Sequence, residues 1–154
     1  MINEQTLEGQ TLESTRFGSI VLPAALIVEI PEGLMGMHHL TRFALVESSV
    51  AAVPFRFLLS LDDAEVGFGM ADPTKLFANY EVDLAAEREV LDIQSDDEAK
   101  LFVVLTIGEN PMRTTANLLA PLLLNTRTMI GRQLVLSDSR YSTKHPIIAT
   151  RQQQ

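Results

Sequence analysis

Cysteine and tryptophan are both absent from the sequence. Without cysteine there is no disulfide framework, no thiolate zinc site and no thiol nucleophile, and the composition suits a reducing cytosol. Long apolar runs are missing as well. The densest, Leu101 to Ile107, has the length of a strand, so no transmembrane helix is expected. Met1 to Glu13 carries acids and no apolar run, unlike a signal peptide. Positive charge is scarce, with 12 Lys and Arg against 20 Asp and Glu and a formal net charge of −8. A polyanion needs a cationic surface, so direct binding of nucleic acid or an anionic membrane is disfavoured. The aromatic residues, seven Phe and two Tyr, sit in strand-like stretches without interleaved bases and do not form a stacking platform for RNA. What is present is apolar content: 46% of 154 residues is ample for the core of one domain, expected to be cytoplasmic.

The charge is unevenly distributed. Leu61 to Ala99 holds twelve acids against Lys75 and Arg88, a local net of −10, whereas Asn110 to Gln154 holds six bases and the single acid Asp138, a local net of +5. Either these side chains solvate the surface of an apolar domain, or the acidic quarter forms a patch for a basic protein. Complementary potentials of that kind raise association rates and select partners.

Short apolar runs between turn signals point to an all-β sandwich or barrel. Strands are expected over Thr15–Leu22, Leu26–Ile30, Arg42–Val46, Phe55–Ser60 and Val66–Ala71, with Asp62 and Asp63 in a hairpin turn and residues 34–41 irregular. In Val66–Ala71, bulky residues alternate with Gly67, Gly69 and Ala71, leaving one nearly bare face for close packing or a bulge. Tyr80–Leu84 alternates cleanly and predicts a strand with Glu81 and Asp83 on its wet face. Ala86, Val90 and Ile93 recur at helical spacing and predict one short amphipathic helix over 85–92. Leu101–Ile107 predicts a strand covered on both faces. Pro121 bends Leu118–Leu124, places it on an edge or splits it in two. Residues 122–125 then find a hairpin partner in Arg132–Leu136. The expected division is an N-terminal extension over 1–14, one β domain over 15–146 and a tail over 147–154.

The chain is poor in catalytic patterns. His38 and His39 are adjacent and diverge, a bad spacing for a shared metal. Gly67-Phe68-Gly69 is followed by Asp72 where a phosphate loop needs a third small residue, and that anion would repel phosphate. Asp138, Ser139 and His145 lie close in sequence, but polar turn chemistry explains them without a catalytic relay. The acidic pairs Asp62/Asp63 and Asp96/Asp97 lack the surrounding spacing of a calcium loop. Neither an enzyme nor a metal or other cofactor is expected.

Several ordered segments carry a family resemblance. Thr114 through Asn125, Gly131 through Leu136 and Asp138 through Pro146 resemble the C-terminal signature of the FliW flagellar assembly factors. Ile30 through Met37 with Arg42-Phe43 is similar to that family's glycine-rich turn, although Met37 replaces its usual aromatic. Ser60 through Asp63, Phe68, Ala71 through Pro73 and Tyr80 through Leu84 are similar to its middle. The resemblance implies a mainly β fold, a small antiparallel β-barrel-like domain with one or two short helices. It also implies a protein that binds partners: flagellin, and the translational repressor CsrA, which it sequesters until flagellin competes for it. A dedicated flagellin chaperone without CsrA is the alternative. On this reading CsrA meets Asp62, Asp63, Glu65, Asp72, Glu81 and Asp83, with Phe57 and Tyr80 either apolar anchors or ordinary core. Flagellin's amphipathic termini need a partly apolar groove.

Overall fold

The computed structural model describes residues 11–14, 18–21, 25–47, 55–77, 79–106, 113–137 and 140–147. Eleven strands are present among them. β1 (Thr11–Ser14) and β2 (Gly18–Val21) form an antiparallel pair of their own. The sequence pattern predicts a single strand over Thr15–Leu22. Pairing instead begins within the stretch read as an extension, and residues 15–17 and 22–24 lie outside the described residues.

β3 (Ala25–Glu29), β4 (Arg42–Glu47), β5 (Phe55–Ser60), β6 (Gly67–Ala71) and β7 (Ala99–Thr106) follow one another as an antiparallel meander. Of the apolar run Leu118–Leu124, only the part past Pro121 enters a strand, β9 (Leu122–Asn125); β8 (Thr115–Ala116) ends before the run begins. β10 (Ile130–Gln133) returns antiparallel on β9, two residues earlier than expected, because the Met129 N–H bonds Asn125 O and closes the hairpin after a four-residue loop. Beyond it, Leu134 and Leu136 still bond Pro121 O and Leu119 O. β11 (His145–Pro146) adds to β8.

Eight residues long, β7 decides the architecture. Its second half pairs with β6 on one edge and β8 on the other, and its first half, Ala99 to Phe102, pairs with β9. β10 touches β3 in parallel at Ile130 and Glu29. The result is a closed barrel of seven strands, β3 to β7 with β9 and β10. Closure removes free sheet edges, the liability of open β structures. The closing contact is the sheet's one parallel pairing among the described strands; all others are antiparallel.

Alternation along the strands sorts side chains into layers. Val28, Ile30, Phe43, Leu58, Met70, Phe102, Leu122 and Leu124 fill the barrel interior. On the outer side, Ala71, Val103, Leu105, Ala116 and Leu118 gather around Tyr80 and Ile147. A third group joins Leu91 and Ile93 to Leu123 and Leu134. β7 thus feeds both faces, as its unbroken apolar run predicted. The small residues of β6 lie on its outward face, where Gly69 is opposite Phe57 and Leu105, and Ala71 is buried.

Two elements differ from expectation. Tyr80–Leu84 is not a strand. Its alternation is real, since Tyr80 is buried and Val82 and Leu84 pack against the outer groups, yet its backbone joins no ladder. The Glu81 N–H bonds the Tyr141 hydroxyl at 3.1 Å instead. The helix is α2 (Ala85–Val90), after the single-turn α1 (Pro73–Leu76). Its predicted apolar face is not the buried one: Ala86 is exposed and Val90 is 57% exposed, while Leu91 and Ile93 just past its end enter the core. Asp92 at φ 55° turns the chain there, which swings Ile93 off the helical register.

Candidate protein-binding site

The structure distributes the eight predicted contact residues over four places. Asp62, Asp63 and Glu65 form the turn between β5 and β6, as expected. The Ser60 hydroxyl accepts the Asp62 and Asp63 N–H groups at 3.0 Å each, and Asp63 Oδ1 accepts the Glu65 N–H at 2.9 Å. Asp62 Oδ2 accepts the Thr41 and Arg42 N–H groups at 3.3 Å, tying the turn to the start of β4. The turn is therefore a shaped acidic loop, and its three carboxylates enter no ion pair among the described residues.

Asp72 lies at the far end of β6, about 16 Å along the strand at its usual rise. It is occupied: Oδ1 caps α1 through the Thr74 N–H at 2.9 Å, and Oδ2 meets Lys100 Nζ at 3.6 Å. Glu81 and Asp83 are exposed on the connector after α1, and Asp83 Oδ1 accepts the Ala85 N–H at 3.0 Å. Phe57 is half-buried on β5 and Tyr80 is 7% exposed. The Tyr80 hydroxyl donates to Leu118 O at 2.7 Å, and its ring leans on Tyr141 at 4.8 Å. Burial, reinforced by Tyr141, holds that hydroxyl's pKa well above the ordinary tyrosine range. Tyr80 is built into the core and presents no polar group to a partner.

Folding also brings the acidic quarter against the basic C-terminal half. Arg127 reaches Asp92 Oδ2 at 3.1 Å and Glu98 Oε2 at 3.0 Å. Its hydrogen bond is the main reason the Asp92 carboxyl sits below the usual range. Arg132 approaches Glu32 and Glu87 at 3.6 and 3.5 Å. Exposed pairs of this kind are worth little individually. With the Asp72–Lys100 and Arg88–Asp96 pairs, they engage Asp72, Glu87, Asp92, Asp96 and Glu98, leaving Asp62, Asp63, Glu65, Glu81, Asp83, Glu89 and Asp97 outside any ion pair among the described residues.

The residues of the C-terminal signature are bound into the frame. Asn117 Oδ1 accepts the Ala120 N–H, Asn125 is fully buried, and His145 stands edge-on to Phe77 at 4.9 Å. Asp138 lies outside the described residues. Among the described residues no three His, Asp or Glu side chains gather where a metal could be held, and no helix is long and apolar enough to cross a membrane.

One surface feature gave no sequence signal as a site. Pro31, Val90, Leu91 and Ile130 line a shallow pocket of about 140 Å³ with Glu32 and Arg132 at its margin. Helical periodicity assigns Val90 to the interior, and the fold places it on this rim.

A small closed β-barrel, with two short helices outside it and presenting acidic turns and an apolar pocket, defines a scaffold whose chemistry is on its surface. The FliW protein family model matches residues 11–147, and the chain belongs to the FliW family. Similar relatives are the flagellar assembly factor FliW of Geobacter sulfurreducens, 37% identical over 86% of this chain and 83% of the relative, and that of Bacillus subtilis, 34% identical over 84% and 91%. A crystal structure of the flagellar assembly factor FliW superposes with a TM-score of 0.76 at 30% identity, covering 89% of this chain and 96% of that one.

Proposed function

We propose that this protein is a cytoplasmic, non-catalytic flagellar assembly factor that binds flagellin and, in competition with it, the translational repressor CsrA. Free of flagellin, it sequesters CsrA and relieves repression of flagellin mRNA. The observation that carries the reading is the near full-length similarity to proteins named as flagellar assembly factors.

The surface chemistry supports it. An RNA-binding repressor carries positive charge, and Asp62, Asp63 and Glu65 present three carboxylates on one hydrogen-bonded turn. Glu81 and Asp83 add two exposed carboxylates on the connector, and half-buried Phe57 on β5 is the apolar anchor of this reading. Asp72 and Tyr80 act through the fold, the first as a helix cap and the second as core.

Light scattering after size exclusion, with the organism's own CsrA and flagellin monomer, tests the reading. A CsrA complex that flagellin dissolves is the expected result. Binding to flagellin alone reduces the function to a dedicated chaperone, and binding to neither removes it. Replacing Asp62, Asp63, Glu81 and Asp83 with Asn or Gln should weaken CsrA binding and flatten its salt dependence with Tm nearly unchanged. Unaltered low-salt affinity would locate the CsrA contact elsewhere.

A further inference from the structure

Barrel closure leaves one stretch of strand edge open. β3 and β10 pair only at Glu29 and Ile130, after which the chain leaving β3 turns away through Pro31 and Glu32. β10 runs on. The Leu134 and Leu136 N–H groups still bond Pro121 O and Leu119 O on the β9 side. By the alternation of an antiparallel ladder, the N–H and C=O groups of Gln133 and Val135 point the opposite way, past the end of β3. Neither of these N–H groups has a hydrogen-bond partner among the described residues. β11, at the margin of the sheet, is blunted instead. Its Ile147 N–H turns inward to Thr114 O, so the outward position beside it is residue 146, a proline with no N–H to offer.

The open stretch is also apolar. Val135 is 66% exposed, and on its face of β10 Gln133 Oε1 accepts the N–H of Met35, which is 52% exposed, at 2.7 Å. These are two of the three exposed large hydrophobic side chains among the described residues. From Ile130 to Leu136 the single charge is Arg132, which stands 3.6 Å from Glu32 and 3.5 Å from Glu87. An unpaired edge without a proline or a free charge is a template for another strand.

We propose that an extended segment of flagellin adds to β10 as a further strand. Its backbone bonds Gln133 and Val135, and one of its apolar side chains covers Val135 and Met35. The inference rests on the reading that flagellin is a partner, and it names the surface that takes it. A neutral edge has nothing to select the cationic surface of an RNA-binding repressor, whereas flagellin is the partner for which a partly apolar surface is expected. The edge and the acidic turn border the same connection between β3 and β4, which Gln133 holds at Met35 and Asp62 holds at Thr41. Flagellin on the edge therefore stands at the same end of the barrel as the carboxylates assigned to CsrA.

Amide hydrogen exchange of the full chain, followed residue by residue by NMR with and without flagellin monomer, tests the proposal. The Gln133 and Val135 amides should slow at least tenfold when flagellin is bound. Unchanged exchange at both with flagellin bound, or protection by CsrA alone, overturns the edge and leaves flagellin binding standing. A wild-type chain that does not bind flagellin in light scattering overturns both. Val135→Pro removes an N–H that the fold does not use, and Val135→Thr keeps it. Calorimetry should show at least a tenfold loss of flagellin affinity with Val135→Pro and less than a threefold change with Val135→Thr, with CsrA affinity and Tm nearly unchanged in both. Wild-type flagellin affinity in Val135→Pro overturns the proposal. Should that variant lose CsrA and Tm as well, the exchange of the wild-type chain decides.

Discussion

Asn125 shows how much one side chain holds together. Its amide donates to Leu91 O and Asp92 O at 2.8 and 3.3 Å, and its Oδ1 accepts the Arg127 and Thr128 N–H groups at 2.8 and 3.3 Å. All four bonds are made by a fully buried residue. Asn125→Ala strands those backbone groups, so denaturant unfolding should show a loss of about 3 kcal/mol. Tyr80 gives a pH-dependent counterpart. Its raised pKa means the unfolded chain loses the phenol proton first as pH climbs, so its contribution is present below pH ~10 and is lost above it. Thermal melts from pH 8 to 11 should show a decline in Tm that is shallower in Tyr80→Phe. The same variant, lacking the bond to Leu118 O, should start about 1 kcal/mol less stable at pH 8.

At the scale of elements, the turn between β3 and β4 depends on glycine at one position far more than at another. Gly33 has φ +70°, and a Cβ there would stand 2.5 Å from His38 Cα, part of the rigid backbone. Gly36, at φ +82°, has open space around it. Gly36→Ala should therefore cost about 1 kcal/mol from backbone strain alone, and Gly33→Ala several times that, measured by urea midpoints. α2 is an element of a different kind: it buries no residue of its own. Its anchors lie just past its C-terminal end, where Leu91 and Ile93 enter the outer core and Asn125 takes the carbonyls of Leu91 and Asp92.

The whole molecule is one cooperative body because β3 and β4 from the first third of the described chain and β9 and β10 from the last share a single interior. Val28, Phe43, Leu58, Met70, Phe102 and Leu124 belong to the same packed group. Phe102→Ala should cost about 3–5 kcal/mol, yet unfolding should remain one transition, with backbone and tyrosine circular dichroism superimposing in urea. Two separated transitions would mean that the outer groups around Tyr80 and Leu91 unfold apart from the barrel. The charge asymmetry also resolves at this scale. Basic side chains from the C-terminal half reach back to Asp92, Glu98 and Glu87, and the open acidic surface is smaller than the linear count of twelve acids suggested.

The sequence by itself determined the strand-rich class, the acidic turn after β5, the division at Pro121 and the doubly covered β7. Each rests on local chemistry: alternation, turn residues, a missing N–H, an unbroken apolar run. It also carried the family resemblance that the match over residues 11–147 bore out. Tertiary structure decided the rest. Alternation in Tyr80–Leu84 records which side chains are covered, and only the position of neighbouring strands settles whether a ladder exists. Helical spacing in α2 assumes that the chain stays helical past Val90, but the turn at Asp92 sends Ile93 inward and leaves Val90 outside. Barrel closure, the pairing of acids with distant arginines and the pocket beside Val90 all join residues far apart in the chain, and no local pattern encodes such a distance.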